Sequence, residues 1–159
     1  MNNIWIVDFG SQYTQLITRK SRELGYSSFI MTIDECFEKL EAGAKPRALI
    51  LSGGPNSIFE DETNYSQIFD SNIPTLGICY GMQLIANYFD GVVERGLQGE
   101  YGHARVQAVN GHEIPGIKSS INTWMSHFDH VKEVPQGFVT TLKSDNGLIA
   151  GIENKEKKI

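Results

Sequence analysis

Uninterrupted apolar runs recur through the first half of the chain, and each ends in a turn of polar residues or glycine. Ile4-Trp5-Ile6-Val7 runs into Asp8-Phe9-Gly10-Ser11, and Ala48-Leu49-Ile50-Leu51 into Ser52-Gly53-Gly54-Pro55-Asn56-Ser57. Runs this short, with no polar alternation, predict strands buried on both faces, as in a parallel sheet. Between them the pattern predicts a helix over 12–24, with Leu16, Ile17 and Leu24 at helical spacing, Ser11 as N-cap and Gly25 as terminator. A second strand is expected at 27–31 and a short helix at 34–40, followed later by the stretch Leu76-Gly77-Ile78-Cys79-Tyr80-Gly81 and a helix over 82–89 closed by Asp90-Gly91. Repeated β-α units imply a parallel sheet whose ligands bind past the carboxyl ends of the strands. The Asp8 turn, the Gly53-Gly54 loop and Cys79 would therefore open on one rim.

After Gly91 the texture changes. Short alternating or β-branched pieces at 92–94, 104–109, 121–125, 138–142 and 148–152 are split by Asn110-Gly111, Pro115-Gly116, Pro135-Gln136-Gly137 and Asn146-Gly147. This half is expected to be β-rich, with an antiparallel edge. The charged run at 153–158 reads as a solvated turn or frayed end.

Length and composition narrow the function classes. The 159 residues are expected to form one domain, and a net charge of −5 does not suggest a nucleic-acid surface. Cys36 and Cys79 are the only cysteines and make no Cys-x-x-Cys pair, so neither a disulfide framework nor a metal site is indicated. A reducing cytoplasm is the simplest location; no secretory leader and no apolar segment of spanning length is visible, so no membrane role is expected.

Cys79 is the candidate for chemistry. With Gly77 and Gly81 on either side, at a strand-to-helix junction, it has the makings of a nucleophile elbow, where a sharp turn tolerates only small neighbours. The first N–H groups of the helix would favour the thiolate and offer an oxyanion donor. The same stretch equally fits a buried, inert cysteine at a strand end. Gly53 and Gly54 read either as a tight turn or as a place where backbone comes close to a ligand and turns an N–H inward.

Taken together, Asp8-Phe9-Gly10-Ser11-Gln12-Tyr13-Thr14-Gln15-Leu16, Leu51-Ser52-Gly53-Gly54-Pro55, Gly77-Ile78-Cys79-Tyr80-Gly81-Met82-Gln83 and Trp124-Met125-Ser126-His127 with Asp129 resemble the class I (triad) glutamine amidotransferases. Within that class they look most like the glutaminase domains of the GMP synthase family. The resemblance implies an α/β, flavodoxin-like fold with a mostly parallel central sheet, helices on both its faces and an antiparallel β-rich second half. It makes Cys79 the nucleophile towards the amide of L-glutamine, places the oxyanion donors in Gly53, Gly54 and Tyr80, and assigns Gln83, Ser126 and His127 to the α-amino and α-carboxylate ends of the substrate. It implies no cofactor for this half. ATP and Mg²⁺ would belong to an ATP-pyrophosphatase synthetase partner, fused or separate, that aminates XMP to GMP.

Three departures qualify the carry-over. The family draws its general base and orienting carboxylate from a late His-Pro-Glu segment, and no His-x-Glu follows Cys79 in these 159 residues, so the chain is expected to be an incomplete glutaminase domain without turnover. None of His103, His112, His127 and His130 matches the family's catalytic histidine. Phe128 stands where the family has glycine, with a prospect of altered loop geometry and crowding at the glutamine end, and His130 stands where lysine is usual. A silent glutamine-binding or partner-docking module, and a different cysteine hydrolase using one of the four histidines as base, are the rival readings.

Overall fold

Ile6, Val7, Leu49 and Leu51 are wholly buried, as continuous apolar runs require, and they form the centre of a parallel sheet. The computed structural model describes residues 3–109 and 119–159, and for 97–100 and 126 the backbone alone. Two compact units divide the chain: one runs to Leu84 and includes Lys155–Ile159, the other is Ile85–Asn154.

The first unit contains β1 (Asn3–Val7), α1 (Thr14–Glu23), β2 (Ser27–Met31), α2 (Ile33–Glu41), β3 (Ala48–Leu51), a 3-10 turn (Ile58–Glu60), the single turn α3 (Ser66–Phe69) and β4 (Thr75–Gly77). It also holds the start of α4 (Tyr80–Tyr88). The sheet order is β2-β1-β3-β4, every pair parallel, with Val7 opposite Leu51 and Leu51 opposite Gly77. Sequence order reverses direction between β1 and β3, so the carboxyl ends of those two strands flank the switch point at which such sheets bind ligands.

The predicted face of α1 is corrected. Leu16 and Leu24 are exposed, and the buried positions are Thr14, Thr18 and Ser21. Small hydroxyls can be buried here because the backbone satisfies them: Thr18 Oγ1 donates to Thr14 O at 2.8 Å and Ser21 Oγ to Ile17 O at 3.0 Å. Ser11 is not the N-cap. The helix begins at Thr14, and the Ser11 hydroxyl accepts the Tyr13 N–H at 3.1 Å one turn earlier. For α2 the sequence reading started one residue late, because Thr32 caps it: Thr32 Oγ1 accepts Glu35 N–H at 3.2 Å and Glu35 Oε2 accepts Thr32 N–H at 2.8 Å.

The second unit is an antiparallel sheet of order β6-β5-β7-β8, from β5 (Val92–Ala108), β6 (Ser120–Glu133), β7 (Val139–Ser144) and β8 (Ile149–Glu153). The short pieces expected at 92–94 and 104–109 are parts of one 17-residue strand, paired to β6 on both sides of an irregularity between Arg95 and Glu100, with a further register shift at Val92/Val93. Val93, Val106, Val131 and Phe138, with Ile85 and Ala86 of α4, are among the unit's buried apolar side chains. The turn signals Asn110-Gly111 and Pro115-Gly116 lie outside the described residues. The charged run at 153–158 does turn at its end, but it is held: Lys158 O accepts the N–H of Thr75 on edge strand β4 at 3.0 Å. No helix among the described residues is long and apolar enough to cross a membrane.

Removing the reciprocal cap tests how far α2 depends on it. Thr32→Ala is expected to lower unfolding stability by about 1 kcal/mol, read as a lower urea midpoint with an unchanged slope.

Candidate active site

Cys79 adopts φ +54°, a left-handed conformation that side-chain-bearing residues rarely take. The turn is imposed from both sides. Ile78 N–H donates to Leu51 O at 2.9 Å, which carries the β3–β4 pairing up to the residue before the cysteine, and Gly81 N–H returns to Ile78 O at 3.0 Å. Helix α4 then starts on the cysteine itself, whose carbonyl accepts Met82 N–H at 3.0 Å and Gln83 N–H at 3.1 Å. A β-carbon on Gly81 would lie 2.4 Å from Leu51 O, so no larger residue fits without moving backbone.

Neither Gly53 nor Gly54 is among the positive-φ glycines, and what stands close to them is protein. A β-carbon on Gly54 would lie 2.4 Å from Phe9 O, and one on Gly53 would lie 3.5 Å from Cys79 Cβ and 3.7 Å from Ser11 Oγ. The three loops therefore meet. Asp8 holds the first of them, its Oδ1 accepting Gly10 N–H at 3.0 Å and the Thr14 hydroxyl at 2.7 Å.

The helix start does not lower the Cys79 thiol as expected. Burial pushes it above its ordinary value, and the Tyr80 N–H aimed at the sulfur only partly offsets this. The reason lies in the elbow: the N–H groups of Gly81, Met82 and Gln83 are taken by Ile78 O and Cys79 O, leaving Tyr80 as the helical donor at the sulfur. Cys36, within α2, is completely buried and its thiol is pushed up to about 11 by that burial.

The side chain of Tyr80 is buried and anchored by a residue that sequence reasoning missed. Asp61 Oδ2 accepts the hydroxyls of both Tyr80 and Tyr65, and the ring of Phe9 lies 5.2 Å from that of Tyr80. Burial would raise the Asp61 carboxyl, but the bonds from Tyr80, Tyr65 and Thr63 together hold it below the usual range. Asp61 sits between Glu60 and Glu62 in a stretch with no periodicity, so no sequence signal distinguished it.

Gln83, one turn beyond Cys79, is only 6% exposed, so it is not a solvated helix polar residue. Ser126 and His127 belong to β6 in the second unit, where His127 pairs with Glu100; the side chain of Ser126 lies outside the described residues. Phe128 lies in β6, is half exposed, and is absent from the positive-φ residues among those described, so its backbone does not take the conformation that would demand glycine. His130 Nε2 lies 3.2 Å from Glu94 Oε1, and Lys132 reaches the other oxygen of that carboxylate at 2.7 Å. His103 packs edge-on against Trp124 at 5.2 Å, and His112 lies outside the described residues. Among the described residues no three His, Cys, Asp or Glu side chains cluster as metal ligands.

A parallel sheet of this order, carrying a strained cysteine at a strand-to-helix elbow beside a Gly-Gly loop, defines a class, and sequence comparison agrees with it. The profile of the family Glutamine amidotransferase class-I matches residues 5–159, and the chain belongs to that family. It is 40% identical to the GMP synthase [glutamine-hydrolyzing] of Thermosipho africanus, over 100% of this chain and 31% of the relative. It is 45% identical to that of Nitratiruptor sp., over 98% of this chain and 31% of the relative. The chain thus spans under a third of the length of these curated relatives. Among solved structures, a Thermoplasma acidophilum protein assigned as a GMP synthase subunit superposes with TM-score 0.86 at 30% identity, covering 100% of this chain and 81% of that one. A glutamine amidotransferase of Thermotoga maritima, at 20% identity and TM-score 0.71, covers 95% of this chain and 70% of that one and shares the fold.

Because the thiol lies above its ordinary value of 9.0, iodoacetamide alkylation of Cys79 should accelerate continuously from neutral pH past that value. A plateau near neutrality would contradict the balance of burial over the Tyr80 N–H. Gly81→Ala should cost more than about 2 kcal/mol and slow this alkylation, checked by thermal unfolding and by mass spectrometry of the labelled chain.

Proposed function

We propose that the chain is the glutamine-hydrolysing part of a GMP synthase, supplying ammonia for the amination of XMP to GMP in the cytoplasm. The observation that carries this reading is Cys79 at φ +54° in an elbow packed against the Gly53-Gly54 loop, in a chain 40% to 45% identical to glutamine-hydrolysing GMP synthases along almost its whole length.

In the proposed reaction the Cys79 thiolate attacks the side-chain amide carbon of L-glutamine. The C–S bond forms as the carbonyl electron pair moves to oxygen, and the Gly54 and Tyr80 N–H groups stabilise that oxyanion. Collapse breaks the C–N bond as the proton given up by the thiol passes to the leaving nitrogen, and ammonia departs; water then adds to the glutamyl thioester, the C–S bond breaks, and glutamate is released with the Cys79 thiol restored. Gln83, Ser126 and His127 are proposed to bind the α-amino and α-carboxylate ends of glutamine. The half-reaction is proposed to need no cofactor. ATP and Mg²⁺ would serve an ATP-pyrophosphatase synthetase partner, either fused or a separate subunit.

The raised Cys79 thiol makes proton removal the demanding step. No His-x-Glu follows Cys79 in these 159 residues, so we propose that this polypeptide alone has little or no turnover. The test uses a chloroketone analogue of glutamine on the 159-residue chain. Saturable labelling of Cys79, slowed by L-glutamine but not by L-asparagine, is expected, with steady-state ammonia release at background. Labelling indifferent to glutamine would overturn the glutaminase reading. Ammonia release abolished by Cys79→Ala would overturn the expected inactivity and leave the glutaminase reading standing.

A further inference from the structure

Ser52 is completely buried at the end of β3, immediately before the two glycines, and its hydroxyl joins two loops. Oγ accepts the Phe9 N–H at 3.0 Å and lies 2.8 Å from Gly53 O, with Asp8 Oδ1 further off at 3.5 Å. One lone pair is therefore engaged by Phe9, and the single hydroxyl proton goes to the shorter contact, the Gly53 carbonyl. Peptides among the described residues are trans, so the C=O of Gly53 and the N–H of Gly54 point in opposite directions across one rigid plane. Fixing the carbonyl on the buried Ser52 side turns the Gly54 N–H away from it. The α-carbon of Gly53, at the head of that plane, is the one whose β-carbon would touch Cys79.

A peptide between two glycines has no β-carbon on either side to resist rotation. Rotated by half a turn, it would present a carbonyl oxygen where developing negative charge must be stabilised, replacing a donor by a repelling acceptor. Residue packing does not exclude such a flip by itself, because the close contact of Gly54 with Phe9 O constrains its α-carbon and not the direction of the preceding carbonyl.

We infer that Ser52 is a positioning residue that locks the Gly53-Gly54 peptide in the orientation an oxyanion donor requires. The inference rests on the glutaminase reading above. Ser52 touches no reacting atom and acts only through the peptide it holds, with Phe9 N–H keeping the hydroxyl in place.

The experiment compares two reagents on the 159-residue chain and its variants. The γ-p-nitrophenyl ester of L-glutamate acylates Cys79 through a tetrahedral oxyanion: the thiolate adds to the carbonyl, the C–O bond to the aryl group breaks, and p-nitrophenolate leaves without needing a proton. Iodoacetamide alkylates the same sulfur at a saturated carbon and forms no oxyanion. Losing a whole oxyanion donor typically costs about 100- to 1,000-fold, so loosening one is expected to slow acylation about tenfold in Ser52→Ala. Iodoacetamide labelling and its pH profile should stay within about twofold of wild type, and Ser52→Thr, which keeps the hydroxyl, should restore acylation. Acylation of Ser52→Ala at the wild-type rate would overturn the lock, as would an equal fall with both reagents, which would mark a structural role. A wild-type chain that the ester does not acylate would overturn the glutaminase reading and the lock with it. Should Ser52→Ala fail to fold, the wild-type protein still decides: the Gly54 amide proton should show a nuclear Overhauser contact to the Cys79 β-protons, and its absence would overturn the inference.

Discussion

The left-handed backbone at Cys79 is the constraint on which the rest of the first unit is arranged. A side-chain-bearing residue at this φ costs about 1–3 kcal/mol and persists only where its surroundings over-determine it. Here they do. The residue before it is bound to Leu51 O, the residue two beyond it is a glycine pressed onto that same carbonyl, and its own carbonyl begins α4. Leu51 O is thus shared by the strand pairing and the elbow, so the end of β3 fixes the cysteine as firmly as β4 does.

The same hydrogen bonds that impose the turn limit what it can do to the sulfur. A helix N-terminus activates a thiol through N–H groups left unpaired, and an elbow this tight uses up those of Gly81, Met82 and Gln83 internally. With Tyr80 N–H as the helical donor at the sulfur, desolvation outweighs it and the thiol is pushed above its ordinary value. The geometry of the elbow and the charge state of its thiol are therefore set by different features: the turn by hydrogen bonds to β3 and within α4, the thiol by burial. The anchoring of Tyr80 by Asp61 serves presentation, since it secures the residue whose N–H faces the sulfur while leaving the thiol's charge state to other groups.

How much of this could be read beforehand depended on whether the signal was local. The buried strands at 4–7 and 48–51 were visible because burial on both faces leaves no polar alternation, and the elbow because a sharp turn requires small residues around Cys79. The buried face of α1 is not legible in this way, since Thr18 and Ser21 pack inward by donating their hydroxyls to backbone carbonyls and Thr14 by donating to the Asp8 carboxylate, whereas the apolar Leu16 and Leu24 face out. The length of β5 is not legible either, because only the pieces at 92–94 and 104–109 carry a strand pattern and what joins them is pairing to β6, a long-range contact invisible in a window of a few residues. Ser52 and Asp61 carry no local signal, because each matters through partners many positions away.

Those long-range partners also explain how three loops come together at the switch point of the sheet. Strands β1 and β3 are neighbours in the sheet, so the loops leaving their carboxyl ends start side by side, and polar groups of one can satisfy the other: Phe9 N–H finds Ser52, and Asp8 lies within reach of the same hydroxyl. A loop bonded to its neighbour in this way can run close to Cys79 with glycine backbone alone, needing no bulky side chain to wedge it in place. That leaves the backbone bare beside the sulfur, which is the condition for an N–H group, in place of a side chain, to meet the oxygen of a substrate.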